Sequence, residues 1–162
     1  YLIVLLGRRG LIGSYLYELT GLSITFTMAG AIIAASVMSL PLMVKSARAA
    51  IESVNPKYEM ASYTLGKGEL ETFFRITLPL AQRGILAGVV LSFARALGEF
   101  GATLMLAGNL PGKTQTMPLA IYEAVVSGET RNAQLLALIL TAVSVTAVYL
   151  TNKLANRQTG WA

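Results

Sequence analysis

The sequence predicts an all-α, polytopic transmembrane helix bundle, and three observations carry that reading. Hydrophobic residues fill 54% of the 162 positions and charged residues 13%, about half the charge of an average soluble domain, and the mean hydropathy is +0.61. Three apolar runs, 19–44, about 83–107 and 132–152, each reach the roughly 20 residues that cross a hydrocarbon layer. The cations gather in the connections beside those runs, a distribution that orients a chain in a bilayer and does not build a nucleic-acid surface. The net charge of +5 therefore points to membrane lipid and to no nucleic-acid partner. Cys, His and Asp are absent, which excludes a disulfide framework and a thiolate metal site and leaves hydrolytic chemistry little to work with. A single transmembrane domain over 1–162 is expected, with no cofactor, no metal and no catalytic residues.

Residues 1–7 form an apolar scrap that begins without Met. It reads as part of a span in an N-terminally truncated chain, with further helices expected upstream, and not as a signal peptide, because no basic segment precedes the apolar run. Arg8 and Arg9 read as a solvated helix end. The first complete span, 19–44, carries no charge over 26 residues, and Thr27, Ala31, Ala35 and Ser39 recur every four, a small-residue stripe that lets another helix approach. Pro41 lies near its end, Lys45 and Arg48 mark its boundary, and the helix is expected to continue toward Val54.

The loop 45–82 is a charged, turn-rich island between apolar runs. Asn55 suits an N-cap, Pro56 the first helical position and Glu59 the positive end of the helix dipole. A short helix is predicted from Pro56 to about Leu65, with Tyr58, Ala61 and Leu65 on one apolar face and Gly66 as a left-handed stop. A second, interfacial helix is predicted over Glu69–Thr77, with Leu70, Phe73 and Phe74 on one side, and Pro79 is expected to start a new element.

The span 83–107 repeats the small-residue stripe with Gly84, Gly88, Ser92 and Ala96. Arg95 and Glu99 interrupt it four residues apart on one helical face, where they can pair. Such a pair inside a membrane is expensive. It would line a translocation path, latch a gate or hold the bundle together as a structural ion pair, and the sequence leaves these open. The segment Ala107–Thr114 formally fits a relaxed phosphate-loop pattern, but it lacks the preceding strand and following helix and carries Pro111, so nucleotide binding is not expected. Residues 118–126, PLAIYEAVV, suit a short helix folded back at the outer face. The last span, 132–152, is followed by a polar tail with Lys153 and Arg157. Lys45, Arg48, Lys57, Lys67, Arg75 and Arg83 lie in the first long loop against Lys113 and Arg131 in the second, which places the first loop and the C-terminus in the cytoplasm.

Three residues separate Met60-Ala61-Ser62 from Gly66, and nine separate Gly66 from Ile76-Thr77-Leu78-Pro79. This resembles the cytoplasmic loop of binding-protein-dependent ABC importer permeases, whose pattern is E-A-A, three residues, G, nine residues and I-x-L-P. Met60 and Ser62 depart from the triplet, and Glu59 lies one place early. The resemblance implies that Tyr58, Glu59, Met60, Ala61, Ser62, Leu65, Gly66, Ile76, Leu78 and Pro79 couple the chain to an ATPase subunit. SFARALGEFGATLMLAGNLPGKTQTMPLAIYEAV, with GRRGLIG near the start and SLPLMVKSAR before the loop, resembles molybdate/tungstate-type permeases over essentially the whole chain. Sulfate-type permeases share the A-R-A-x-G-E-[FY]-G core, and the longer run from Asn109 to Tyr122 favours molybdate or tungstate.

That family implies a non-catalytic, multi-pass subunit of a bacterial or archaeal cell membrane. It would pair with a second copy of itself, two copies of an ABC ATPase and an extracytoplasmic oxyanion-binding protein. A sulfate-type permease is the alternative within the family. An ATPase-independent channel or secondary transporter using Arg95 and Glu99 as coupling groups is the rival class, and it leaves the loop spacing unexplained.

Overall fold

The computed structural model describes residues 2–7, 10–21 and 23–157, and among them every regular element is helical. In chain order these are α1 (Leu2–Leu6), α2 (Leu11–Thr20), α3 (Met28–Glu52), α4 (Pro56–Thr64) and α5 (Glu69–Thr72). A π-helical turn (Phe73–Thr77) leads into α6 (Leu78–Leu97), followed by α7 (Gly101–Ala107), α8 (Met117–Val126) and α9 (Thr130–Arg157). Among the described residues three helical stretches are long and apolar enough to cross a membrane: Met28–Glu52, Glu69–Leu97 and Thr130–Tyr149. The Arg8 and Arg9 expectation lies outside the described residues.

The chain forms two compact units, 1–39 with 95–145 and 40–94 with 146–162. In the first, Ala31, Ala34, Leu106, Ala107 and Leu119 form the core together with the buried hydroxyl residues Thr103 and Thr114. The Phe26 N–H donates to the Leu106 carbonyl at 3.1 Å, which ties the segment before α3 to the end of α7. The rings of Phe100 and Tyr122 meet with centroids 5.1 Å apart. In the second unit, the lower half of α3 packs on α6 through the predicted glycine stripe. A Cβ at Gly84 would stand 2.5 Å from the Ala50 Cβ, and one at Gly88 would stand 2.6 Å from the Ser46 Cβ. Only glycine lets these backbones come so close.

The helices depart from the charge-free runs in three places. The run 19–44 is not one helix: α2 stops at Thr20, where Gly21 turns left-handed (φ 68°) and its N–H reaches the Tyr17 carbonyl, and α3 starts at Met28. Between them the hydroxyls compete with helical backbone bonds. Ser23 and Thr25 bond each other at 2.8 Å, and the Thr27 hydroxyl donates to the Ile24 carbonyl at 2.6 Å while accepting the Gly30 N–H at 3.2 Å, so it caps α3. Thr27 is thus a cap and not the first residue of a helical stripe.

The second departure is at Pro79, where α6 begins one residue earlier, at Leu78, but without a break from the helix before it. The helix is continuous over Glu69–Leu97, and Leu78 bonds back to Phe73 across the π turn. The wider turn accommodates a proline that has no N–H to donate and whose ring would crowd the preceding turn. The third is the end of that helix. The expected span 83–107 is broken after Leu97 and resumes only as the short α7 from Gly101. Arg95 and Glu99 therefore lie at a helix break, not in mid-helix.

Candidate functional site

Local sequence builds the loop 53–79 as a small clipped unit. The Asn55 side chain accepts the Lys57 N–H at 3.0 Å, with Pro56 at the first helical position and Glu59 in the first turn of α4. Leu65 and Lys67 both donate to the Ser62 carbonyl, and Gly66, at φ 77°, donates to that of Tyr63. That left-handed conformation is the one a glycine at this position can adopt without strain.

Two side-chain contacts then tie α4 to the helix that follows. The Ser62 and Thr72 hydroxyls bond at 2.8 Å in a buried position. The Thr77 hydroxyl donates to the Glu59 carboxylate at 2.6 Å. Glu59 and Ser62, which stand apart from the family triplet as counted, are thus the residues that hold the unit together. Thr72 and Thr77 were missed by sequence reasoning. The one signal available was Ser62 itself, a hydroxyl one helical turn from Tyr58 and Glu59.

The expected apolar face of α4 points outward. Tyr58 is 56% exposed, Met60 62% and Leu65 80%, and Leu70 and Phe74 of the next helix are also exposed. Ala61, Gly66 and Pro79 are exposed as well, whereas Glu59, Ile76 and Leu78 are half-buried. Around this apolar surface Glu71 pairs with Lys67 at 2.8 Å and Arg75 at 3.0 Å. The loop thus presents a preorganised apolar knob bordered by charge, the composition of a docking patch.

Arg95 and Glu99 do pair, at 2.9 Å. The second oxygen of Glu99 accepts the Ala102 N–H at 2.9 Å, so one carboxylate joins the end of α6 to the first turn of α7. Its position suits the positive end of that short helix. The two partners are unequally covered: the Glu99 side chain is 6% exposed and that of Arg95 44%. Glu99, Thr103 and Thr116 line one side of a cavity of about 310 Å³ that is otherwise apolar, with Met28, Ala31 and Leu140 among its walls. The Thr116 hydroxyl is buried there without a partner among the described residues.

The phosphate-loop look-alike is closed by its own bonds. The amides of Lys113, Thr114 and Gln115 all converge on the Leu110 carbonyl, and the Thr114 hydroxyl accepts the Leu110 N–H and donates to the Gly108 carbonyl. These amides point into the turn and not toward a bound phosphate. Glu123 on α8 accepts from Asn109 at 2.9 Å and from Gln115 at 2.5 Å, which fastens the loop to that helix. Among the described residues no group of three potential metal ligands occurs.

Comparison with known proteins sets these features beside a family. Residues 2–160 match the model of the binding-protein-dependent transport system inner membrane component. The molybdenum transport system permease protein ModB of Escherichia coli (strain K12) is 46% identical over 155 residues, covering 95% of this chain and 68% of the relative. ModB of Haemophilus influenzae is 45% identical over 148 residues, covering 89% of this chain and 65% of the relative. The sulfate transport system permease protein CysW of Synechococcus elongatus is 37% identical over 149 residues, covering 92% of this chain and 52% of the relative. The chain thus spans about two thirds of the length of the two molybdenum permeases and about half that of the sulfate permease.

Proposed function

We propose, from the premise that the chain belongs to the binding-protein-dependent transport system inner membrane component family, that it forms the translocation pathway of an ABC importer for molybdate or tungstate. The identity to molybdenum permeases over nearly the whole chain supports the substrate class over sulfate, where identity is lower. The observation that carries the coupling role is the clipped knob: α4 is tied to a membrane-length helix at Glu59–Thr77 and Ser62–Thr72 while its apolar side chains remain uncovered. A push on α4 is thereby transmitted to Glu69–Leu97 without the loop first having to order itself.

In this reading the knob sits on the cytoplasmic face, where the loop cations place it. Two copies of the chain enclose a pathway, two ATPase subunits grip the Pro56–Thr64 helices, and an extracytoplasmic binding protein delivers the oxyanion. ATP binding shifts the permease between inward and outward states only through contacts that differ between them, and Tyr58, Met60, Ala61, Leu65 and Gly66 supply those contacts. Glu59, Ser62, Ile76, Leu78 and Pro79 brace them from behind. The chain itself is non-catalytic, and ATP is hydrolysed on the partner.

The test is ATPase activity of the full-length permease reconstituted with its ATPase and binding protein, comparing molybdate, tungstate and sulfate. Stimulation by molybdate or tungstate and none by sulfate is the expected result. Stimulation by sulfate alone overturns the substrate, and transport without any ATPase overturns the coupling and restores the secondary-transporter class.

A further inference from the structure

The unequal covering of the ion pair has a chemical consequence. Both Glu99 oxygens are engaged, one by Arg95 and one by the Ala102 amide, and the carboxylate is buried. A guanidinium carries five N–H donors in a rigid fork. Among the described residues it meets Glu99 through Nη1 and no other acceptor. The pair therefore hides its negative end and presents its positive end.

Arg95 lies twelve residues beyond Arg83 in one continuous helix, roughly 18 Å along it and so well within a hydrocarbon layer of about 30 Å. A half-exposed guanidinium cannot face acyl chains at that depth without a cost of several kcal/mol. Water, an anion or another protein surface must meet it.

We propose that Arg95 is an oxyanion contact of the translocation pathway, with its free N–H groups directed at a tetrahedral dianion, and that Glu99 is a positioning residue that fixes the guanidinium from behind. A planar fork is matched to two oxygens of such an ion. Engagement of Glu99 by the α7 amide keeps the carboxylate from closing over the whole fork or repelling the passing anion. The inference rests on the oxyanion-importer reading above and adds the residue that touches the cargo.

The sequence contains no Cys, so Arg95→Cys and Leu91→Cys, one turn earlier on the same face and also exposed, introduce single thiols into this segment. In the assembled transporter in proteoliposomes, each is treated with a membrane-impermeant cationic methanethiosulfonate, with and without molybdate and binding protein. The expected result is labelling at both positions, slowed several-fold by molybdate at Leu91→Cys, where Arg95 is intact. In parallel, Arg95→Gln is expected to lower molybdate uptake about tenfold, the equivalent of one lost charge-assisted contact, while ATPase association persists and Arg95→Lys retains a larger share of uptake.

No labelling at either thiol, labelling of Leu91→Cys indifferent to molybdate, or spontaneous disulfide formation between two copies at position 95 overturns the proposal; the last outcome places Arg95 against its second copy. If molybdate fails to stimulate the unsubstituted complex, the oxyanion reading itself has failed, whatever the thiols report.

Discussion

Replacing Gly84 with Ala adds one methyl group to a helix interior, where intrinsic propensity favours Ala by about 1 kcal/mol. The structure predicts the opposite sign. The new Cβ would lie 2.5 Å from the Ala50 Cβ and 3.3 Å from its Cα, whereas carbon atoms rest at about 3.5–4.0 Å. Neither neighbour can rotate away, so the two backbones must part by about 1 Å along a crossing that also holds Gly88 against Ser46.

Overpacking of this kind costs about 1–3 kcal/mol, and with no flexible atom to absorb it the upper half of that range applies. After the propensity gain, a net loss of about 1–2 kcal/mol remains, equivalent to a fall of roughly 2–8 °C in Tm by the scaling for a chain of this size. Thermal unfolding of the purified subunit in detergent measures it. The control is Gly68→Ala, because Gly68 has φ −75° and open space around the would-be Cβ; the entropy gain of Ala is opposed by its weaker N-cap preference, so a change of less than about 1 kcal/mol is expected. A Gly84→Ala protein as stable as the parent, or more so, would refute the close crossing of α3 and α6.

Thr77→Val removes the hydroxyl bonded to Glu59, and Thr72→Val leaves the Ser62 hydroxyl buried without its partner. Each is expected to destabilise the loop by about 1–3 kcal/mol, read as faster amide exchange over α4 and weaker ATPase association; unchanged exchange would mean the clips are incidental. Gly66→Pro, which demands a negative φ where the structure has 77°, and Ala61→Trp, on the exposed face, are each expected to abolish copurification with the ATPase while membrane insertion persists. Retained copurification would remove α4 from the interface. Glu99→Gln is expected to impair transport or assembly more than Glu123→Gln, because Glu99 alone of the two is buried with an arginine partner; equal effects would reduce the pair to general packing.

The polytopic all-helical class, the short helix after Asn55 and its stop at Gly66 were legible in the sequence because each depends on local chemistry. Charge-free length reports solubility in a bilayer, a proline after asparagine reports a helix start, and a glycine reports a left-handed turn. The same kind of information misplaced the helix ends. Hydropathy does not register the hydroxyl bonds of 23–27 that break the first run, nor the π turn that carries a helix through Pro79. Both depend on backbone geometry that apolar composition leaves free.

By itself the sequence determined which residues could pair and which stripes could pack: Arg95 with Glu99 at helical spacing, and Gly84 with Gly88 on one face. Only the tertiary structure decided what those capacities became. It set Ala50 and Ser46 opposite the glycines and Thr77 opposite Glu59, and it buried Glu99 against the amide of α7 while leaving Arg95 half exposed. Helical periodicity acts over a few residues and is written in the order of the chain. Which partner lies across a gap of ten or eighteen residues, and which end of an ion pair meets the surroundings, depends on how whole helices close on one another.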